Sequence, residues 1–337
     1  MKINRRKLTK KQRENRRKTV VFLLLFLGVF FLGYFVGENG LNKDKWVQSI
    51  EQIESKIQSY FETEKAPNAS SAEIHILDVG QGSSTLLQAE DGTTILIDTG
   101  RYNDGDKKIL RHLDTYVGTG GTIDLLIFTH NDADHIGYGD RILTYYNVEE
   151  VWMNGVDTTT KVYEHVLDAI ASSSAKYVEP KAGDVKNVGP FAIKVLNPQE
   201  GDTNNQNDQS IATKISINDF SIMNTGDVDM KIETEIMQRH HALQSDVLIL
   251  GHHGSKYSSS QEWISKVEPE LAVYSAGEGN SYDHPNDEII ERMTKNNIPF
   301  YGTDKHGTIS LFIDETGSYT IKVEKGGEED ENGSGRN

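Results

Sequence analysis

The chain has 337 residues, 36% of them hydrophobic, no cysteine and a formal net charge of −16. That length accommodates one large catalytic domain plus attachments. The missing cysteines exclude thiolate metal sites, disulfides, cysteine nucleophiles and thiol redox chemistry, and the acidic balance works against a broad nucleic-acid footprint, which needs clustered Lys and Arg.

The charge is uneven along the chain. Residues 1–18 hold ten Lys/Arg against one Glu, net +9, so the remainder carries −25. Residues 19–37 contain no charged side chain. At about 1.5 Å rise per residue this run, as a helix, spans roughly the hydrocarbon core of a bilayer. With the basic block in front of it, the positive-inside rule predicts a cytoplasmic N-terminus and an extracellular body. A cleaved signal peptide is the rival reading. The long basic region, an apolar run beyond the usual ~7–15 residues and the lack of a small-x-small site after Val36 favour an uncleaved single-pass anchor. Residues 38–65 read as a helical stalk. Its apolar positions Trp46, Ile50, Ile53, Ile57 and Tyr60 alternate at spacings of four and three, a heptad seam. Two heptads are too short to pair freely. Membrane tethering raises the local concentration, so a weak parallel homodimer through residues 46–60 is one reading. A solitary amphipathic helix is the other. Residues 66–72 read as a linker and residues 326–337, rich in Gly and Glu, as a disordered tail. The folded domain is expected at residues 73–325.

That domain opens with strand-like runs at 73–79, 84–88 and 93–98. Helical stretches follow near 106–116 and 161–172. A second strand-rich half includes 191–196, 211–217, 220–224, 246–250 and 271–275, with helices between. The order predicts two sheets packed face to face with helices outside. Short polar motifs end five of these runs: Asp78-Val79-Gly80-Gln81-Gly82, Asp98-Thr99-Gly100, residues 129–137, Thr225-Gly226-Asp227 and Gly251-His252-His253-Gly254-Ser255. Loops on a rigid sheet scaffold are where sites are built. The third motif follows the apolar run 123–128 and packs His130, Asp132, Asp134 and His135 into six residues. Imidazole and carboxylate together suit Zn²⁺ or a similar first-row cation. Four such ligands suggest two cations and a hydroxide nucleophile at neutral pH. A solvated polar turn is the bland alternative, but its acids and imidazoles would converge with no charge to hold them.

The set closely resembles the metallo-β-lactamase superfamily, and within it the extracellular nuclease-like domain of ComEC competence proteins. The resemblance spans roughly residues 73–323. It also rests on Asn207-Asp208-Gln209-Ser210 and Tyr282-Asp283-His284-Pro285. It implies an α/β fold, the αββα sandwich, with two divalent ions, Zn or Mn, at one edge. His130 and Asp132 would then hold the first metal, Asp134 and His135 the second, and Asp227 would bridge them. One of His252 and His253 would be the last ligand; His252, nearer the strand end, is favoured, leaving His253 to contact substrate. Asp208 is a weaker candidate beside the first metal, against a turn-forming role. Asp98 and Asp78 would order the loops by hydrogen bonds. Tyr282 and His284 would bind a phosphate oxygen or protonate a leaving group.

The chain departs from the common H-x-H-x-D-H motif by having Asp132 at the second position, which makes the first site oxygen-rich and favours Mn²⁺. Ser83 also stands where relatives often have Asp, and the many-helix channel of ComEC is absent, so DNA import by this chain alone is not expected. The expected function is metal-dependent hydrolysis of a phosphodiester, DNA or a cell-envelope polymer, because two metals clamp both attacking and leaving oxygens. The alternatives are an envelope phosphoesterase of teichoic-acid or phosphorylcholine type, and a non-catalytic surface scaffold with a structural metal.

Overall fold

A computed structural model describes residues 71–102, 105–201 and 205–326. The expected basic tail, membrane anchor and stalk, and all but the ends of the linker and C-terminal tail, lie outside the described residues. Among the described residues no helix is long and apolar enough to cross a membrane.

The first half runs β1 (Ala72–Ile76), β2 (Thr85–Ala89), β3 (Thr94–Ile97), α1 (Lys108–Tyr116), β4 (Thr122–Ile123), β5 (Leu125–Ile127), α2 (Gly139–Tyr145), β6 (Asn147–Val148), β7 (Glu150–Trp152), α3 (Lys161–Ser172) and β8 (Lys176–Val178). The second half runs β9 (Val185–Val188), β10 (Phe191–Asn197), β11 (Ala212–Ile217), β12 (Phe220–Asn224), α4 (Met230–Arg239), β13 (Val247–Ile249), α5 (Gln261–Val267), β14 (Leu271–Tyr274), α6 (Asp287–Lys295), β15 (Phe300–Gly302), α7 (Thr303–His306), β16 (Ile309–Ile313) and β17 (Tyr319–Val323).

Among the described residues the strands form an eight-stranded sheet, β17-β16-β1-β2-β3-β5-β7-β8, a seven-stranded sheet, β15-β14-β13-β12-β11-β10-β9, and a small parallel pair, β4-β6. Strand alternation sorts their side chains into layers. Leu125 and Ile127 of β5 face a central core with Ile74, Phe191, Ile222 and Val273. Leu126, between them, faces α1, α2 and α3 through Leu113, Ile142 and Val166. On the other sheet, Leu248 packs with Ile232 of α4, Trp263 of α5 and Ile289 of α6. The result is the expected four-layer αββα sandwich. Strands buried on both faces read as unbroken apolar runs, as in Leu125–Ile127 and Val247–Ile249.

Each sheet contains a parallel block. β3, β5 and β7 pair in parallel, and so do β12, β13 and β14. Parallel strands bring their carboxyl ends to one edge, where ligand-binding loops gather. Two of the sequence-level boundaries run long: the 73–79 run ends as a strand at Ile76 and the 93–98 run at Ile97. In both, the missing residues have become site loop. The helix after Asp227 starts promptly because Asp229 caps it, accepting from Lys231 N at 2.8 Å and Ile232 N at 3.1 Å, which satisfies orphan N–H groups of its first turn.

Candidate metal centre

The loop after β5 is fixed from beneath by Asp98, which ends β3. Its carboxylate accepts from Thr129 N and from Thr129 Oγ1, each at 2.8 Å. His135 Nδ1 lies at 2.8 Å from the same carboxylate. A carboxylate on one ring nitrogen sets the tautomer and turns the other nitrogen outward. Gly82 approaches this loop closely: at φ +131 a Cβ there would strike the Asp134 carbonyl.

The outward nitrogens converge on Asp227. Its Oδ2 lies 3.4 Å from His135 Nε2, 3.6 Å from His252 Nε2, 3.7 Å from His130 Nε2 and 3.8 Å from His253 Nε2. His135 Nε2 and His253 Nε2 are 3.3 Å apart. The candidate ligand atoms fall into two overlapping groups, His130–His135–Asp227 and Asp134–His135–His253, each with its atoms within 4.8 Å of one another. His130 Nε2 is buried and makes no hydrogen bond, a state that costs on the order of 1–3 kcal/mol for a polar atom. A cation would satisfy it. Nitrogen and carboxylate oxygen on one buried point are a donor set that fits a divalent first-row metal.

Most of the sequence-predicted residues come together here. Asp132 Oδ2 stands 3.5 Å from His130 Nε2 and belongs to neither of the two groups. Asp134 Oδ2 stands 3.6 Å from His253 Nε2. The two adjacent histidines are placed differently from the expectation. His253, rather than His252, is buried in the group with Asp134 and His135. Its Nδ1 donates to the Ser275 carbonyl at 2.8 Å, leaving Nε2 for the group. His252 has a side chain 34% exposed, with Nε2 3.6 Å from Asp227 Oδ2 and its ring edge-on to His253. The cause is the backbone, left-handed at both residues (φ 52 and 57), which folds the second ring inward.

Asp208 is not in the cluster. Its carboxylate accepts from Asn205 Nδ2 at 2.7 Å. Burial first, then Asp229 at the start of α4, raises its pKa. The neighbouring Gln206 reaches the site instead, donating through Nε2 to Asp132. Asp78 also stands apart, paired with Lys108 at 2.8 Å and Lys325 at 3.4 Å. Sequence reasoning missed Gln206 and Ser275 because neither carries a ligand-type side chain.

Tyr282 and His284 line a cleft together with Gln81, Asp132, Asp134 and Asp227. Burial, then the nearby His253 and His252 imidazoles, push His284 down to about 4. A neutral imidazole suits hydrogen bonding to a substrate oxygen better than proton delivery.

Burial opposes a charge on His135, yet the Asp227 and Asp98 carboxylates outweigh it and hold its pKa well above the ordinary value. Burial likewise opposes charge on Asp227, and the surrounding imidazoles, His135 first, hold it well below. The metal-free cluster is therefore an ion pair. His135 must lose its proton to ligate a metal, so affinity should rise with pH up to its raised pKa and level off above. Calorimetric titration of the metal-free protein with Zn²⁺ at pH 7 should show proton release, read as an enthalpy that varies with buffer ionisation heat. A buffer-independent enthalpy would show that His135 is already neutral.

The profile of the family described as "Metallo-beta-lactamase superfamily" matches residues 77–278. The chain is 30% identical over 270 residues to ComE operon protein 3 of Bacillus subtilis (strain 168), covering 75% of this chain and 34% of that protein. It is 27% identical over 248 residues to Competence protein ComA of Neisseria gonorrhoeae, covering 73% and 33%. The chain thus spans about a third of the length of these curated relatives. Among solved structures, the metallo-beta-lactamase fold protein YhfI from Bacillus subtilis superposes with a TM-score of 0.46 at 13% identity, covering 68% of this chain and 95% of that one.

Proposed function

The chain belongs to the metallo-beta-lactamase superfamily, and from that membership and its clustered ligands we propose that it is a metal-dependent phosphodiesterase. The observation that carries the reading is Asp227, one carboxylate oxygen within 3.4–3.8 Å of four imidazole nitrogens. In this reading His130 and Asp132 would hold one divalent ion and Asp134, His135 and His253 the other, with Asp227 available to both. The ions, Zn²⁺ or Mn²⁺, would polarise the phosphoryl group and lower the pKa of water. Gln206 steadies Asp132, and Asp98 fixes the His135 tautomer. His252, on the open side, is free to bind a substrate oxygen, as is His284.

Relatives named as competence proteins favour a phosphodiester of nucleic-acid type over a β-lactam, and the oxygen-rich position of Asp132 favours Mn²⁺. The test is turnover of bis-(p-nitrophenyl) phosphate by the full chain with Mn²⁺ or Zn²⁺, followed by competition between single-stranded DNA and wall polymer. Metal uptake without turnover of any of the three would support the structural-metal scaffold and sink the enzymatic reading.

Residues 19–37 are proposed as a single-pass anchor with the domain outside the cell. Protease added to intact cells should then remove the domain and spare residues 1–18. Cleavage seen only after lysis would reverse that orientation and with it the extracellular substrates.

A further inference from the structure

A near-parallel ladder of rings runs from the mouth of the cleft to its floor. Tyr282 is 52% exposed. It stacks on His284, with ring centroids 5.8 Å apart and planes at 24°. His284 in turn stacks on the buried His253 at 6.2 Å and 27°. The outermost ring of the ladder thus presents aromatic surface to solvent in the cleft that Asp132, Asp134 and Asp227 also line.

A half-exposed tyrosine in a loop is ordinarily free to swing. Here the backbone that carries it is knotted by Asn280. Its Nδ2 donates to the carbonyls of Gly277 at 3.0 Å and His284 at 2.6 Å. Its Oδ1 accepts from Tyr282 N and His284 N, each at 3.1 Å. All four hydrogen-bonding positions of the amide are used. The base of the loop is tied to the facing wall by Gly277 N, which donates to Gln81 Oε1 at 3.1 Å. A ring held in place beforehand loses little entropy when a ligand arrives.

We infer that Tyr282 is a stacking platform for a planar ring carried by the substrate beside the scissile phosphate. The site accordingly selects aryl or nucleoside phosphodiesters over diesters of open-chain alcohols. This rests on the phosphodiesterase reading above. A nucleobase of any identity has a π-face to lay on the phenol, whereas a polyol chain has none. The platform also answers the charge problem. The net charge of −25 over residues 19–337 works against gripping a polyanion through rows of cations, and stacking holds one unit of the substrate without them.

The full chain and its Tyr282→Ala and Tyr282→Phe variants would be assayed with one divalent ion on two diesters, a dinucleoside phosphate and a glycerol-phosphate diester. Tyr282→Ala should raise KM for the dinucleoside phosphate about tenfold or more, mainly at constant kcat, as expected for a lost base–aromatic stack. KM for the glycerol diester should move by less than about threefold, because no stack is lost there. Tyr282→Phe, which keeps the ring, should track the parent on both. Equal losses on the two diesters in Tyr282→Ala would overturn the platform. So would a fall in kcat in Tyr282→Phe, which would place the hydroxyl in the chemistry. No metal-dependent turnover of either diester by the parent would remove the phosphodiesterase reading itself, and the platform with it.

Discussion

Asp227→Asn should lower kcat on a chromogenic phosphodiester by more than about a hundredfold, since even residues that merely support a metal ligand typically cost 10–100-fold. Asp227 is the point on which His130, His135, His252 and His253 converge, at 3.4–3.8 Å. The amide is isosteric, so the fold should survive. It carries no charge, so two cations in the cluster would repel with less compensation. Asp132→Ala is the internal comparison. Asp132 has a side chain 47% exposed and touches only His130 within the cluster, so its loss should weaken one ion and be partly rescued by excess Mn²⁺. Metal content would be measured alongside kcat. Near-parental kcat in Asp227→Asn together with a loss in Asp132→Ala would make Asp227 a strand-end residue and break the shared-ligand geometry.

Asp98→Ala should be the most destabilising change near the site. It removes the acceptor of Thr129 N, Thr129 Oγ1 and His135 Nδ1 in a residue 1% exposed. Breaking a buried pair of this kind typically costs about 3–5 kcal/mol, which for a domain of this size corresponds to a fall in Tm on the order of 10 °C. Asp98→Asn separates stability from function. Asn tolerates the left-handed backbone found at this position (φ 60) and keeps one acceptor oxygen. Its Tm should fall less, while metal affinity drops about 10–100-fold because the His135 orientation is no longer secured. Calorimetry on the metal-free variants gives both numbers. Parental affinity in Asp98→Asn would leave Asp98 with a purely structural role.

The sandwich was legible because its causes are local. Alternation in runs such as Ala212–Ile217, and an apolar stretch ending abruptly in Thr129-His130, announce buried strands and their exits. The candidate ligand types stood out for the same reason: four side chains of metal-ligating type lie within six residues. What stayed hidden depends on contacts far apart in sequence. β16 and β17 follow the second half of the chain yet complete the first sheet, with Ala72 opposite Ile313, and no local pattern encodes that return. Gln206 reaches Asp132 from 74 residues away. For Asp208 the sequence left a ligand and a turn-forming role open, and its reciprocal hydrogen bonds with Asn205 give it the turn.

The choice between His252 and His253 shows the division most plainly. By itself the sequence determined that an imidazole pair follows β13 and that Asp, His and Gly cluster at strand ends, because residue type and period are properties of short segments. Only the tertiary structure decided which imidazole enters the cluster and that Tyr282 stands over it. Those depend on two successive left-handed backbone conformations, an acceptor at Ser275 and a knot at Asn280, in loops tied to the loop after β1 by Ser275 Oγ, which donates to the Gly82 carbonyl at 2.9 Å, and by Gly277 N, which donates to Gln81 Oε1 at 3.1 Å.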